Sequence, residues 1–197
     1  MKKIIFAALA VLALSIVPAT ASAAPVKFGS KLNSTVQPSN SLPGLGCGEA
    51  AGPCTFVQQE ACGRPDGGEL APKTGTIRKI RLIAGGPGSF KLQIAKVKRS
   101  TLFGTNEAKV VASGPRINYQ GQSEANDEAG SYRVETFDVN VPVKKGQQLA
   151  LKGNLTSMVR CSSGGDNTLI YTPPLASAFR PATNTDGCWI LMEAVIR

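Results

Sequence analysis

The chain has 197 residues, 42% of them hydrophobic, and sets 22 Lys and Arg against 13 Asp and Glu, a formal net charge of +9 with no histidine. The lack of histidine excludes a Ser-His-Asp triad, a Cys-His pair and every His-ligated metal site, so catalysis would rest on carboxylates, Lys, Tyr or an unassisted Ser. The cationic excess favours anionic partners such as acidic polysaccharide or wall polymers; nucleic acid is disfavoured, because the basic residues are not interleaved with aromatics and no nucleic-acid motif occurs.

Lys2 and Lys3 precede a mostly apolar run over residues 4–17, and Ala21-Ser22-Ala23 follows with small residues where a signal peptidase reads. This is the layout of a cleaved secretory signal. The run is shorter than the roughly 20 residues of a membrane span. No later segment is apolar enough to span. Residues 1–23 are therefore expected to be a leader, and residues 24–197 one exported domain, secreted and without a membrane span.

Within that domain, residues 24–72 are rich in Ser, Pro, Gly and Asn and read as a wrap around the core, with a first edge strand over 28–32 and a short strand at Thr55-Phe56-Val57. From residue 73 the pattern changes to short strands divided by turns. Residues 76–84 alternate, with Ile80, Leu82 and Ala84 on one side and Lys79, Arg81 and Ile83 on the other. Gly85-Gly86-Pro87-Gly88 reads as a tight connection, and residues 89–98 alternate again, so the two runs are expected to pair as an antiparallel hairpin. A short strand is expected at 109–112 and an exposed polar loop around 120–130. Residues 132–143 return to strand, with Phe137, Val139 and Val141 on one side and a bulge expected near Glu135 or Thr136. After the turn Lys144-Lys145-Gly146, strands follow over 148–152, 155–160 and 168–172. Residues 173–187 read as loop, opened by Pro173-Pro174, and residues 188–196 as one closing strand.

No helical period competes. Many short strands with Gly and Pro between them imply an all-β, antiparallel β-sandwich, jelly-roll-like in topology.

Five cysteines remain after the leader. In an oxidising compartment they are expected to be mainly disulfides. Cys47–Cys54 would close a Gly/Pro-rich loop, and Cys161–Cys188 would tie a late loop to the last strand, leaving Cys62 unpaired. An exchange of Cys54 for Cys62 competes. No CxxC pair occurs, so no metal site and no cofactor are expected.

Among candidate sites, the densest cationic patch is Arg78-Lys79-Ile80-Arg81 with Lys91, Lys96, Lys98 and Arg99 in the presumed partner strand. Its functional reading is an anion-binding face through Lys79, Arg81 and Lys91; its bland reading is an ordinary solvated face. Tyr119, beside the polar loop, is the better exposed aromatic for ligand contact. Trp189 is the only tryptophan; its functional reading is an exposed ring that stacks on a sugar, but its apolar neighbours favour the core reading. The acidic run Glu124–Glu128 offers oxygen ligands without an EF-hand spacing and reads as a solvated loop. Glu135, Asp138 and Glu193 are the strand carboxylates that a glycosidase mechanism would draw on. Asn33 and Asn154 sit in glycosylation triplets, a pattern common by chance.

The stretch Thr74-Gly75-Thr76-Ile77-Arg78, then Phe90-Lys91-Leu92-Gln93-Ile94, then Val143-Lys144-Lys145-Gly146-Gln147-Gln148-Leu149-Ala150-Leu151 is similar to uncharacterised secreted bacterial jelly-roll proteins. That resemblance implies a fold and an export route and carries no catalytic residues. The function expected is a secreted, non-catalytic protein that binds glycan or another anionic polymer at the cell exterior. The alternatives are an extracellular carbohydrate-active enzyme using Asp and Glu, or a structural surface subunit.

Overall fold

The computed structural model describes residues 24–32, 47, 52–61, 63–64, 67–100, 106–121, 132–154 and 161–197, the side chains of 161–167 and 188 excepted. Among them there is no helix. The strands are β1 (Val26–Gly29), β2 (Cys54–Gln58), β3 (Gly75–Leu82), β4 (Gly88–Lys98), β5 (Glu107–Tyr119), β6 (Glu135–Val143), β7 (Gln148–Gly153), β8 (Cys161–Tyr171), β9 (Arg180–Pro181), β10 (Asn184–Ile190) and β11 (Met192–Ile196). They form two antiparallel sheets. A four-stranded sheet runs β1-β11-β3-β6, and a seven-stranded sheet runs β10-β8-β2-β7-β4-β5-β9.

Apolar residues at alternate positions turn one face of each sheet inward. Ile77, Ile80 and Leu82 of β3 and Val139, Val141 and Val143 of β6 share one buried cluster with Phe56, Phe90, Leu92, Ile94, Leu149 and Leu151 of the larger sheet. The larger sheet is also covered on its other face. There Val57, Ala95, Ala108, Ala150, Leu169 and Tyr171 pack with Leu175. The segment after β8 provides this cover. Leu175 N–H donates to Thr55 Oγ1 at 3.1 Å, Val110 N–H donates to Ala176 O at 2.8 Å, and the Phe179 ring lies under the ammonium groups of Lys98 and Lys109. Double coverage explains why every residue of β2 is buried.

Several expectations change. β3 and β4 do not form a hairpin, because they lie in different sheets. The Gly85-Gly86-Pro87-Gly88 link carries the chain from one sheet to the other. β4 pairs with β5 on one side and β7 on the other. β5 is far longer than a strand at 109–112 and continues through Tyr119. β6 starts at Glu135, so the mismatch of Val134 needs no bulge there; the extra residue of β6 lies further along, between Asp138 and Val141, opposite Ile77 to Lys79 of β3. The closing strand is two strands. β10 ends at Ile190 in the larger sheet, and β11 starts at Met192 in the smaller one. β10 already begins at Asn184, inside the stretch read as loop. The Ser/Pro-rich early region supplies more than a wrap, since its β2 sits between β8 and β7 in the middle of the larger sheet.

The Cys47–Cys54 disulfide is present, and Cys54 is fully buried. It anchors the start of β2 beside the end of β7, where Cys54 pairs in register with Gly153. Cys161 and Cys188 fall on the neighbouring strands β8 and β10, where Cys188 is opposite Ser163 and Cys161 opposite Ile190. Their bonding, Cys62, the leader at 1–23, the acidic run at 124–128, Asn33 and the strand expected at 155–160 lie outside what the structure describes.

Phe56 joins the central buried cluster at 0% exposure. Phe56→Ala is expected to lower unfolding free energy by about 3–5 kcal/mol, through lost burial and the cavity left behind. Urea denaturation followed by circular dichroism measures this.

Candidate functional site

The cationic face read from sequence is divided by the sheet assignment. Lys79 and Arg81 belong to the smaller sheet and Lys91 to the larger. Lys79 Nζ lies 3.1 Å from Asp138 Oδ1, an exposed pair of small energetic value. Arg81 is drawn to Glu193.

Glu193 is on β11, between β1 and β3, and its side chain is 3% exposed. Arg64 Nη2 donates to its Oε2 at 2.7 Å. Arg81 Nη1 donates to Oε1, and Lys27 Nζ lies 3.2 Å from that same oxygen. Three cations thus surround one buried carboxylate and occupy both of its oxygens. Register explains two of them, since Arg81 is the direct cross-strand partner of Glu193 and Lys27 is opposite Val195. Neither oxygen is left to face a substrate, so Glu193 serves as an anchor in this arrangement. The other strand carboxylates are not brought to it. Glu135 accepts from the N–H groups of Gln120 and Gly121 at 3.0 and 2.8 Å. That contact holds Gly121 at φ +76° hard against the backbone of Gly86, where a side chain would not fit.

Tyr119 is not an exposed aromatic. It is 3% exposed and packs on Phe90 with ring centroids 6.1 Å apart. Its hydroxyl is buried, with no hydrogen-bond partner among the described residues. Burial, and secondarily the charge of Glu135, pushes the phenol up to about 12. The polar sequence after Tyr119 suggested exposure; the inward phase of β5, with Ile117 and Tyr119 both buried, overrides it.

Trp189 departs from expectation in the opposite direction. It packs against the central cluster yet is only partly buried, and it lines a cleft of about 680 Å³. The other walls are Gln59, Glu60, Arg64 and Glu69 from the β2–β3 connection, and Arg99, Ser100 and Asn106 from the β4–β5 connection. These side chains are held in place. Arg99 Nη2 donates to the buried Glu69 Oε1 at 2.7 Å, Asn106 Nδ2 donates to Gln59 Oε1 at 2.7 Å, and Ser100 N–H donates to Asn106 Oδ1 at 3.0 Å. Arg64 is fixed by Glu193 from below. Beneath the cleft, Gln58 Nε2 donates to Ser30 Oγ at 2.7 Å and to Ile190 O at 3.0 Å, tying β2 to the end of β10. The Trp189 Nε1–H is buried without a partner among the described residues. An aromatic wall with several fixed donors and acceptors is the composition of a small polar-ligand site.

None of the cleft residues except Trp189 and Arg99 drew attention in the sequence, because residues 59–70 were read as part of the wrap over 24–72 and residues 99–106 fell between the expected strands. The signal present was a concentration of Gln, Glu, Arg and Asn in connections at the ends of strands. Among the described residues there is no group of three or more metal-ligating side chains, and no helix is long and apolar enough to cross a membrane.

Two outcomes follow. Glu193→Gln removes the shared anion and leaves three cations together; a loss of about 2–4 kcal/mol is expected in urea unfolding, and a change below about 0.5 kcal/mol would contradict the anchor. For Tyr119 the phenol pKa is about 12 folded against 10.0 ordinarily. The unfolded chain therefore ionises first, and the Tyr119 contribution is complete below pH 10 and lost as pH rises from 10 to 12. Burial raises Tyr171 as well. Tyr119→Phe should thus flatten part of the fall in melting temperature over that window while leaving stability at pH 7 unchanged or slightly higher.

No family model matches the chain, and no curated protein or solved structure matches it.

Proposed function

We propose that this is an exported, jelly-roll-like β-sandwich protein that binds glycan non-catalytically in the Trp189 cleft. The observation that carries the reading is the cleft's composition: one partly buried indole beside Gln59, Glu69, Arg99 and Asn106, whose side chains are fixed by one another. An indole offers an apolar face to the C–H groups of a sugar ring. Amide, guanidinium and carboxylate groups match its hydroxyls. Fixed side chains lose little conformational entropy on binding, which favours affinity from a small contact. Export is supported by the leader pattern in residues 1–23 and by the Cys47–Cys54 disulfide, a bond of oxidising compartments.

A carbohydrate-active enzyme is the second reading, and one observation favours it: Glu60 and Glu69 line the same cleft. Glu69 is buried and held by Arg99, whereas Glu60 is exposed. This carboxylate pair differs from the strand acids Glu135, Asp138 and Glu193, which lie apart.

The test is a pull-down of residues 24–197 with insoluble wall material and a polysaccharide panel, the supernatant assayed for released reducing sugar. Retention without sugar release, reduced at least tenfold in Trp189→Ala, is the expected result. Release of sugar abolished by Glu69→Gln would establish the enzyme instead. Retention unchanged in Trp189→Ala would remove the cleft from the account.

A further inference from the structure

Lys91, separated from Lys79 and Arg81, has different company. On β4 it is the direct cross-strand partner of Arg116 on β5, and on its other side the direct partner of Lys152 on β7. Direct partners in antiparallel strands project to the same face, with Cβ atoms roughly 5 Å apart. The adjoining residues Leu92, Leu151 and Ile117 belong to the central cluster, so the three cations occupy the opposite, outward face. The row spans two strand spacings, roughly 10 Å.

Like charges directly opposed across strands are destabilising, and this row contains two such pairs in succession. Among the described residues no acidic neighbour relieves it. None of the described salt bridges uses Lys91, Arg116 or Lys152. Instead, the three side chains line a cleft of about 520 Å³ with Pro53, Ser89, Gly153 and Asn154, and among the described residues no acidic one lines it. Arg116 Nη1 donates to Ser89 Oγ at 2.9 Å, which orients the guanidinium along the sheet surface. The opposite wall is fixed too. Pro53 precedes the disulfide-bonded Cys54, and Cys47 Sγ is 3.6 Å from Gly153 O. The contrast with the smaller sheet is informative, because there Arg81, Lys27 and Arg64 converge on Glu193 and Lys79 meets Asp138.

We propose that the Arg116–Lys91–Lys152 row is an oxyanion-binding site, separate from the Trp189 cleft, that takes successive carboxylate or sulfate groups of an acidic polysaccharide. Guanidinium supplies paired donors to a planar or tetrahedral oxyanion, and the two ammonium groups add point charges on the same line. A polymer with one anion per sugar presents charges at intervals that such a row meets. The site lies at the Pro53 end of β2, whereas the Trp189 cleft includes Gln59 and Glu60 beyond its other end. It does not depend on the Trp189 reading.

The test is calorimetric titration of residues 24–197 with sized dextran sulfate and, separately, with polygalacturonate oligomers, at low and moderate salt. The Lys91→Gln/Lys152→Gln variant is compared with Lys144→Gln/Lys145→Gln, which removes the same charge from the exposed β6–β7 turn. The expected result is binding that weakens with salt, falls at least tenfold in the first variant and changes less than twofold in the second. The polymer bound more tightly identifies the anion type. Trp189→Ala should leave this binding within twofold, so the two sites fail or stand separately. The first variant should also melt at the same or higher temperature than wild type at low salt, because two repulsive pairs are gone; a melting temperature lowered by several degrees would assign the row a structural role and overturn the proposal. Equal losses in the two double variants, or no binding of either polymer by wild type, would also overturn it.

Discussion

A single buried carboxylate ties the smaller sheet to the candidate site. Glu193 on β11 is gripped by Arg81 from β3, Lys27 from β1 and Arg64 from the β2–β3 connection. Burying one anion without partners is prohibitive, and burying it among three cations that remain partly solvated is tolerable. The arrangement fixes more than strand register. Arg64 lies over the sheet on one side and forms a wall of the Trp189 cleft on the other, and its side chain packs on Gly68, whose carbonyl accepts from Gly29 N–H at 2.6 Å. The anchor therefore positions a cleft residue while using up cations that would otherwise read as a ligand-binding face.

The larger sheet depends on a different condition, coverage of both of its faces. Its inner side meets the smaller sheet, and its outer side is covered along β2, β7, β4 and β5 by the segment following β8. The cover is partial. Where it stops, the small apolar residues Ala150 and Ala95 give way along the same strands to Lys152 and Lys91. The outer face is thus apolar under the cover and cationic beyond it. The crossing of the chain at Leu191, from β10 into β11, puts Trp189 next to that transition between sheets, where a large ring is packed on one side and open on the other.

Much of the secondary structure was legible in the sequence. Alternation put Ile80 and Leu82 of β3 on one side, and Val139 and Val141 of β6 on one side, as found, and the short loop between Cys47 and Cys54 pointed to their disulfide. Alternation fixes which face a residue takes but is silent about which strand lies alongside. That is why Gly85-Gly86-Pro87-Gly88 read as a hairpin turn when it carries the chain between sheets, and why Lys79 and Arg81 were grouped with Lys91. Tyr119 and Trp189 were misplaced for a related reason. Local polarity predicted an exposed Tyr119 and a buried Trp189, but exposure at a strand end is set by what packs there from distant segments: Phe90 over Tyr119, and for Trp189 the central cluster on one side with a polar connection on the other. The cleft is assembled from connections widely separated in sequence, so no single stretch displays it.

Because Trp189 is the only tryptophan, its fluorescence reports one side of one cleft and nothing else. Titrating residues 24–197 with the oligosaccharides retained in a binding screen, while following indole emission, tests glycan binding at this cleft most directly. The account predicts a saturable change in intensity or wavelength that disappears when Arg99 and Asn106 are replaced by Ala and persists when Lys91 and Lys152 are replaced by Gln. Calorimetrically detected glycan binding with no change in Trp189 emission would contradict it.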